Sequence, residues 1–202
     1  MSDNTMDQNG TEEIPLWNSL HDGELQSIKS DRHKRTLILE FDIRHIRKSH
    51  ELADDYRFVW KFEDVISANA VVWIPWERVS TEELETLSND ANSVTLSEQW
   101  SKGHKESASW EDLETELSKK NSFIDVGDAT FHQSEQGITL DFQGRRESDD
   151  LEDCYRLITI HACSISLSGS DGVSMSLEEF IQLGTDYWDA FEKRSHDRKT
   201  SL

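Results

Sequence analysis

Residues 35–43 read Arg-Thr-Leu-Ile-Leu-Glu-Phe-Asp-Ile. Leu37, Leu39, Phe41 and Ile43 fall on one face of an extended chain, and Thr36, Ile38, Glu40 and Asp42 fall on the other. Alternation of this kind predicts a half-buried strand. Residues 20–30 predict a partner strand before it, with Asp31-Arg32-His33-Lys34 as the turn between them. Downstream, Tyr56, Phe58, Trp60 and Phe62 alternate again. Residues 65–74 form an apolar run that predicts a further strand, stopped at Pro75 because proline cannot donate to a ladder.

The middle of the chain changes character. Residues 80–118 are strongly acidic and carry only Lys102 and Lys105 against many Asp and Glu. Ser80 with Glu83 fits a capping box, and Ser109 with Asp112 makes a similar start. The expectation is two short helices joined by a mobile Ser-, Asn- and Thr-rich loop over 88–108. Strands then return. Residues 123–133 and 138–144 flank a Ser-Glu-Gln-Gly turn, and residues 154–168 predict a long strand. Over 176–194 the spacing becomes helical: Leu177, Phe180, Ile181, Gly184, Trp188 and Phe191 make one stripe, which must pack on something. Ser176 with Glu179 forms its capping box.

The two β segments read as copies. Residues 52–70 align without a gap on 151–169, with identities that include Tyr56/Tyr155, Arg57/Arg156 and Ser67/Ser166. Leu39-Glu-Phe41 and Leu140-Asp-Phe142 precede the two copies in the same order. The expected fold is therefore α+β and mainly antiparallel β. Two similar meanders form a sheet or sandwich, with short helices in the middle and a C-terminal amphipathic helix. A single domain would span 14–194, with repeats at about 17–76 and 122–169, a helical acidic insertion over 80–120 and the helix 176–194. Residues 1–13 and 195–202 read as a disordered tail and a frayed tail.

The chain has 202 residues, with 21 Lys and Arg against 41 Asp and Glu, for a formal net charge of −20. Hydrophobic residues make up 35%, yet 7 Trp, 8 Phe and 3 Tyr are too many for a wholly disordered acidic chain. The charge opposes nucleic acid and anionic membrane surfaces as ligands, and it favours a basic protein partner or a cation, the alternative being a charge that serves solubility alone. No apolar run approaches the ~20 residues of a membrane helix, and the N-terminus lacks signal-peptide features. Cys154 and Cys163 form no disulfide framework and suit a reducing cytoplasm.

Candidates for chemistry are few. His21-Asp22 places a carboxylate beside an imidazole, the pair a hydrolase or metal-dependent enzyme would use. As strand neighbours they would point to opposite faces, and a turn role fits the Asp as well. His45 and His50 frame a basic stretch with Arg44, Arg47 and Lys48, which reads as an exposed loop or as a contact site for an acidic group. His161 and Cys163 share a strand face and read as a core histidine and a buried thiol, because no second ligand pair for zinc is visible. Acid pairs at 51–55 and 149–153 lack the calcium-loop pattern. No metal or cofactor site is expected. Trp73, Trp76, Trp100 and Trp110 could form an aromatic and acidic recognition surface, the alternative being core and lid packing.

The stretch Trp17-Asn-Ser-Leu-His-Asp-Gly-Glu-Leu-Gln-Ser-Ile28, continuing into Arg35-Thr-Leu-Ile-Leu-Glu-Phe41, resembles small uncharacterised bacterial β-rich proteins. These begin with a His-Asp-Gly/Ala-x-Leu-x-x-Ile segment, and the resemblance extends distantly to immunity proteins of bacterial toxin systems. It covers about residues 17–75 and implies no catalytic residues. The expectation is a non-enzymatic, acidic, cytoplasmic protein-interaction protein. The alternative is a hydrolase or metal-dependent enzyme using His21 and Asp22. The sequence leaves the oligomeric state open.

Overall fold

Leu37, Leu39 and Phe41 are buried to 3%, 0% and 0% exposure, so the alternation of residues 35–43 marks a core-facing strand. The computed structural model describes residues 12–74, 104–108, 110–119, 122–147 and 155–200. In chain order these form β1 (Glu12–Pro15), α1 (Trp17–Leu20), β2 (Gly23–Asp31), β3 (Thr36–Asp42), α2 (Arg44–Ser49), β4 (Phe58–Ile74) and β5 (His104–Ala108). There follow α3 (Trp110–Leu117), β6 (Phe123–Ser134), β7 (Gly137–Glu147), β8 (Tyr155–Gly169), β9 (Ser174–Met175) and α4 (Leu177–Thr200).

The fold is α+β with a mainly antiparallel sheet and a C-terminal helix. β2-β3-β4 is one antiparallel meander and β6-β7-β8 is a second. β2 pairs β6 through Gly23–Val126, Glu24–Asp125 and Leu25–Ile124, and β4 pairs β8 from Phe58–Gly169 to Trp73–Tyr155. These two seams close six strands into a ring. Register shifts at Leu25/Ser27, Val65/Ser67 and Val126/Asp128 are bulges of the kind that bend and twist strands enough for such closure. Leu39, Phe41, Trp60, Phe62, Phe131, Leu140, Phe142 and Ile160 fill the interior, each almost fully buried. Burying one such side chain contributes about 2 kcal/mol, so the lumen is the main source of stability.

The helices cover the two ends. Phe180 of α4 is fully buried and meets Phe58 and Trp60 edge-on at centroid distances of 5.4 and 5.2 Å. At the far end of β2, α3 buries Leu113 and Leu117, and Glu114 accepts a hydrogen bond from the Ser30 amide. The start of α4 forms as its sequence predicts. The Ser176 amide donates to Glu179 Oε2 at 2.7 Å, and the Glu179 amide donates back to Ser176 Oγ at 3.1 Å. No helix among the described residues is long and apolar enough to cross a membrane.

Glu12 and Glu13 pair with β6 rather than trailing free, while residues 1–11 lie outside the described residues. The helix α4 runs to Thr200, through the stretch read as a frayed tail. Residues 44–49 are helix α2, not loop. Strands expected at 56–62 and 65–74 are one strand, β4, carried past Asp64 at φ 49 by a bulge. Residues 104–108, read as loop, pair with β4 as an edge strand. The helix expected after Ser80 lies outside the described residues.

The gapless repeat is not supported. It sets buried Phe62 against half-buried His161. In the sheet Trp60 faces Leu39 while Ile160 faces Leu140, so the ladders match Trp60 with Ile160, a register one residue away. The inward face of β8 is Ile158, Ile160 and Ala162. Cys163 is therefore exposed rather than a buried thiol, and His161 is only half-buried.

Candidate functional site

Where β2 begins, three helices meet. Gly23 is buried where the chain turns from α1 into the sheet, and a Cβ there would stand 2.8 Å from the Leu20 carbonyl oxygen. Asp22, at φ 59, makes the turn possible. The His-Asp-Gly sequence is thus a tight corner. His21 Nδ1–H donates to the Gly127 carbonyl at 2.7 Å, which fixes the proton on that nitrogen because a carbonyl only accepts. His21 Nε2 lies 3.5 Å from Asp22 Oδ1.

The helix α4 docks on this corner through Gly184. A Cβ at Gly184 would fall 2.5 Å from the Asn18 carbonyl oxygen and 2.6 Å from Ser19 Oγ. Helix and corner touch backbone to backbone. One turn on, Trp188 Nε1–H donates to the Asn18 carbonyl at 3.0 Å. His50 of the α2 end reaches the Leu183 carbonyl through Nε2 at 3.3 Å.

This docking assembles a ring cluster. The His21 imidazole stacks on Trp17 at 4.5 Å, Trp17 meets Trp188 at 5.1 Å, and Trp188 meets Phe191 at 5.7 Å. Tyr187 contacts His45 at 4.7 Å. Trp17 and Phe191 remain 42% and 48% exposed, unusual for side chains of this size.

Beside the cluster opens a cleft of about 470 Å³ lined by Asp22, Glu24, Arg44, His45, Lys48, Ser49, Tyr187, Trp188 and Arg194. The face 44, 45, 48 and 49 of α2 supplies one wall, and 187, 188 and 194 of α4 supply the other. Arg44 pairs with Glu24 at 3.3 Å. Burial pushes the Glu24 carboxyl above its ordinary range. Arg44 opposes that rise, and Asp42 and Asp125 reinforce it. His45 is held below the ordinary imidazole value, mainly by burial, with Asp22 and a backbone bond to Asn18 acting the other way. Its Nε2 is buried without a hydrogen-bond partner among the described residues. Behind α2, buried Arg47 donates to Asp42 Oδ1 at 3.1 Å and to Asp54 at 3.0 Å, and Arg57 reaches Asp42 at 3.4 Å. That network fixes the helix to β3.

Of the residues singled out in the sequence, Asp22, Arg44, His45 and Lys48 line the cleft, while Arg47 is buried behind α2 and His50 lies at its end. His21 lies beside the cleft, with its ring stacked on Trp17 and one nitrogen committed to backbone. Trp110 is half-buried, and its indole N–H bonds the Ala68 carbonyl, a packing role on β4. Trp76 and Trp100 lie outside the described residues, and so does the side chain of Trp73. Sequence reasoning missed Trp17, Tyr187, Trp188, Phe191 and Arg194 as members of this site. The usable signal was the spacing 187, 188, 191, 194 on a helix that also carries apolar positions for packing. Among the described residues no cluster of three or more His, Cys, Asp or Glu is placed to hold a metal ion.

No family model matches this chain, and neither the curated proteins nor the solved structures contain a match. The reading of the site therefore rests on its own residues.

Proposed function

We propose that this chain is a non-enzymatic interaction protein of the cytoplasm that binds a basic protein partner, in the manner of toxin-immunity proteins. The observation that carries the reading is the exposed pair Trp17 and Phe191, bridged by Trp188. Large aromatics at a surface anchor protein interfaces, because their burial on binding releases much water at little conformational cost. The corner and the Gly184 contact fix the backbone of α1 against α4, the two elements that carry these rings, which lowers the ordering needed on docking.

The charge supports the choice of partner. At −20 the chain's field draws basic proteins inward. The segment 17–28, which carries the likeness to immunity-type proteins, is the same segment that supplies Trp17, His21, Asp22 and Glu24 to this region. The enzyme reading needs His21 facing a substrate, and its Nδ1 bond and ring stack give it a structural task instead.

The test is capture from cell extract at low and moderate salt, comparing the wild-type chain with the double variant Trp17→Ser, Phe191→Ser. A basic protein retained by the first and lost by the second supports the reading. Equal capture by both, or no specific capture, overturns it.

A further inference from the structure

We propose that the cleft between α2 and α4 is a carboxylate-binding site that receives an Asp or Glu side chain of the docked partner. This deepens the interaction reading above and rests on it for the identity of the bearer. The chain as a whole has about two acids for each base, 41 against 21. The cleft inverts that balance, with Arg44, Lys48 and Arg194 against Asp22 and Glu24. Glu24 is already engaged by Arg44. That leaves Lys48 and Arg194, one from each wall, facing a single carboxylate, Asp22.

Neither has an ion-pair partner among the described residues. Lys48 is exposed, and among the described residues Arg194 donates from Nε to the Ala190 carbonyl, within its own helix. The remaining guanidinium N–H groups keep the planar fork that suits a carboxylate. Trp188 and Tyr187 supply an apolar side against which the methylenes of the entering side chain can rest.

The charge count selects the anion. A monoanionic carboxylate balances the surplus left by Lys48 and Arg194 over Asp22. A phosphate dianion would bring a second negative charge beside Asp22 and Glu24. Long-range steering and local fit then act at different distances. The net charge of the chain favours the approach of a basic partner, an effect that salt weakens beyond roughly 8 Å, whereas at contact the cleft decides which of its side chains enters.

The experiment titrates the full chain, free of partner, with N-acetyl-glutamate N-methylamide, following the indole N–H of Trp188 and the imidazole of His45 by NMR. Matched arms use N-acetyl-lysine N-methylamide, N-acetylglycine and inorganic phosphate at equal ionic strength. The expected result is a saturable shift with the blocked glutamate, weakened about fivefold in Lys48→Ala and again in Arg194→Ala. Both sites are exposed, so an unchanged amide spectrum elsewhere shows that the variants fold. A response confined to the lysine probe or to phosphate, a stronger response to the terminal carboxylate of N-acetylglycine, or no saturable response overturns the proposal. Because no partner is present, such a failure leaves the Trp17–Phe191 capture result standing on its own.

Discussion

Phe41 of β3 and Phe142 of β7 meet edge-to-face at 6.1 Å although their strands do not pair. Each ring enters the lumen from a different meander, so their contact spans the interior. The contact ties the halves together where the β2–β6 seam is only three residue pairs long. Truncating either ring to Ala should cost about 4 kcal/mol through lost burial and a residual cavity. The double variant should cost about 1 kcal/mol less than the sum of the two, the coupling of an aromatic pair. Urea unfolding of the four proteins measures both quantities.

Arg47 and Asp42 are each 7% exposed, and the arginine also holds Asp54. Arg47→Ala leaves Asp42 with only the longer contact from Arg57. The expected loss is about 3 kcal/mol, because a buried carboxylate is left under-compensated. Replacing both residues, as Arg47→Met with Asp42→Leu, should cost less than Arg47→Ala alone. Equal losses would show that the network does not act as a unit.

Gly184→Ala should pry α4 from the corner, since its Cβ meets the Asn18 carbonyl and Ser19 Oγ. The expected cost is about 2 kcal/mol of overpacking. The more specific sign is loss of the Trp188 indole hydrogen bond, read as an upfield move of that N–H resonance. A variant with an unmoved resonance would place the strain elsewhere.

His45 gives the fold a pH dependence. Its folded pKa lies below the ordinary value because burial disfavours the imidazolium. As pH falls through about 6.5 the unfolded chain takes up the proton first, so stability drops until the depressed folded pKa is passed. Urea unfolding at about pH 7.5 and about pH 5.5 should show that loss, and His45→Gln should flatten it. Asp22 and His21 face the same imidazole, so the comparison is made against the wild-type slope and not against zero.

Much of the sheet was legible because one face of each strand is buried. Leu37, Leu39 and Phe41 alternate in sequence and alternate in burial, as do Phe58, Trp60 and Phe62. The capping box at Ser176 and Glu179 announced α4. What escaped notice lacked such local signals. β5 reads His-Lys-Glu-Ser-Ala, with no apolar alternation, and is a strand through its pairing with β4. α2 has no side-chain cap and is short; it buries Ile46 and Arg47, and sequence alone assigns the arginine to the surface. The repeat alignment failed by one residue, and in a period-two structure one residue reverses every face. The cleft was hidden for a different reason. Asp22, His45 and Trp188 lie far apart in the chain and meet only because Gly184 lets α4 settle on α1.

A partner is expected to sit on the Trp17–Phe191 surface. Hydrogen–deuterium exchange of the complex with the captured basic protein locates it. The prediction is added protection over residues 17–24, 44–49 and 184–194, with the outer faces of β7 and β8 unchanged. Protection confined to those strands, or to the β5 edge, would contradict the account and move the interaction away from the Trp17–Phe191 surface.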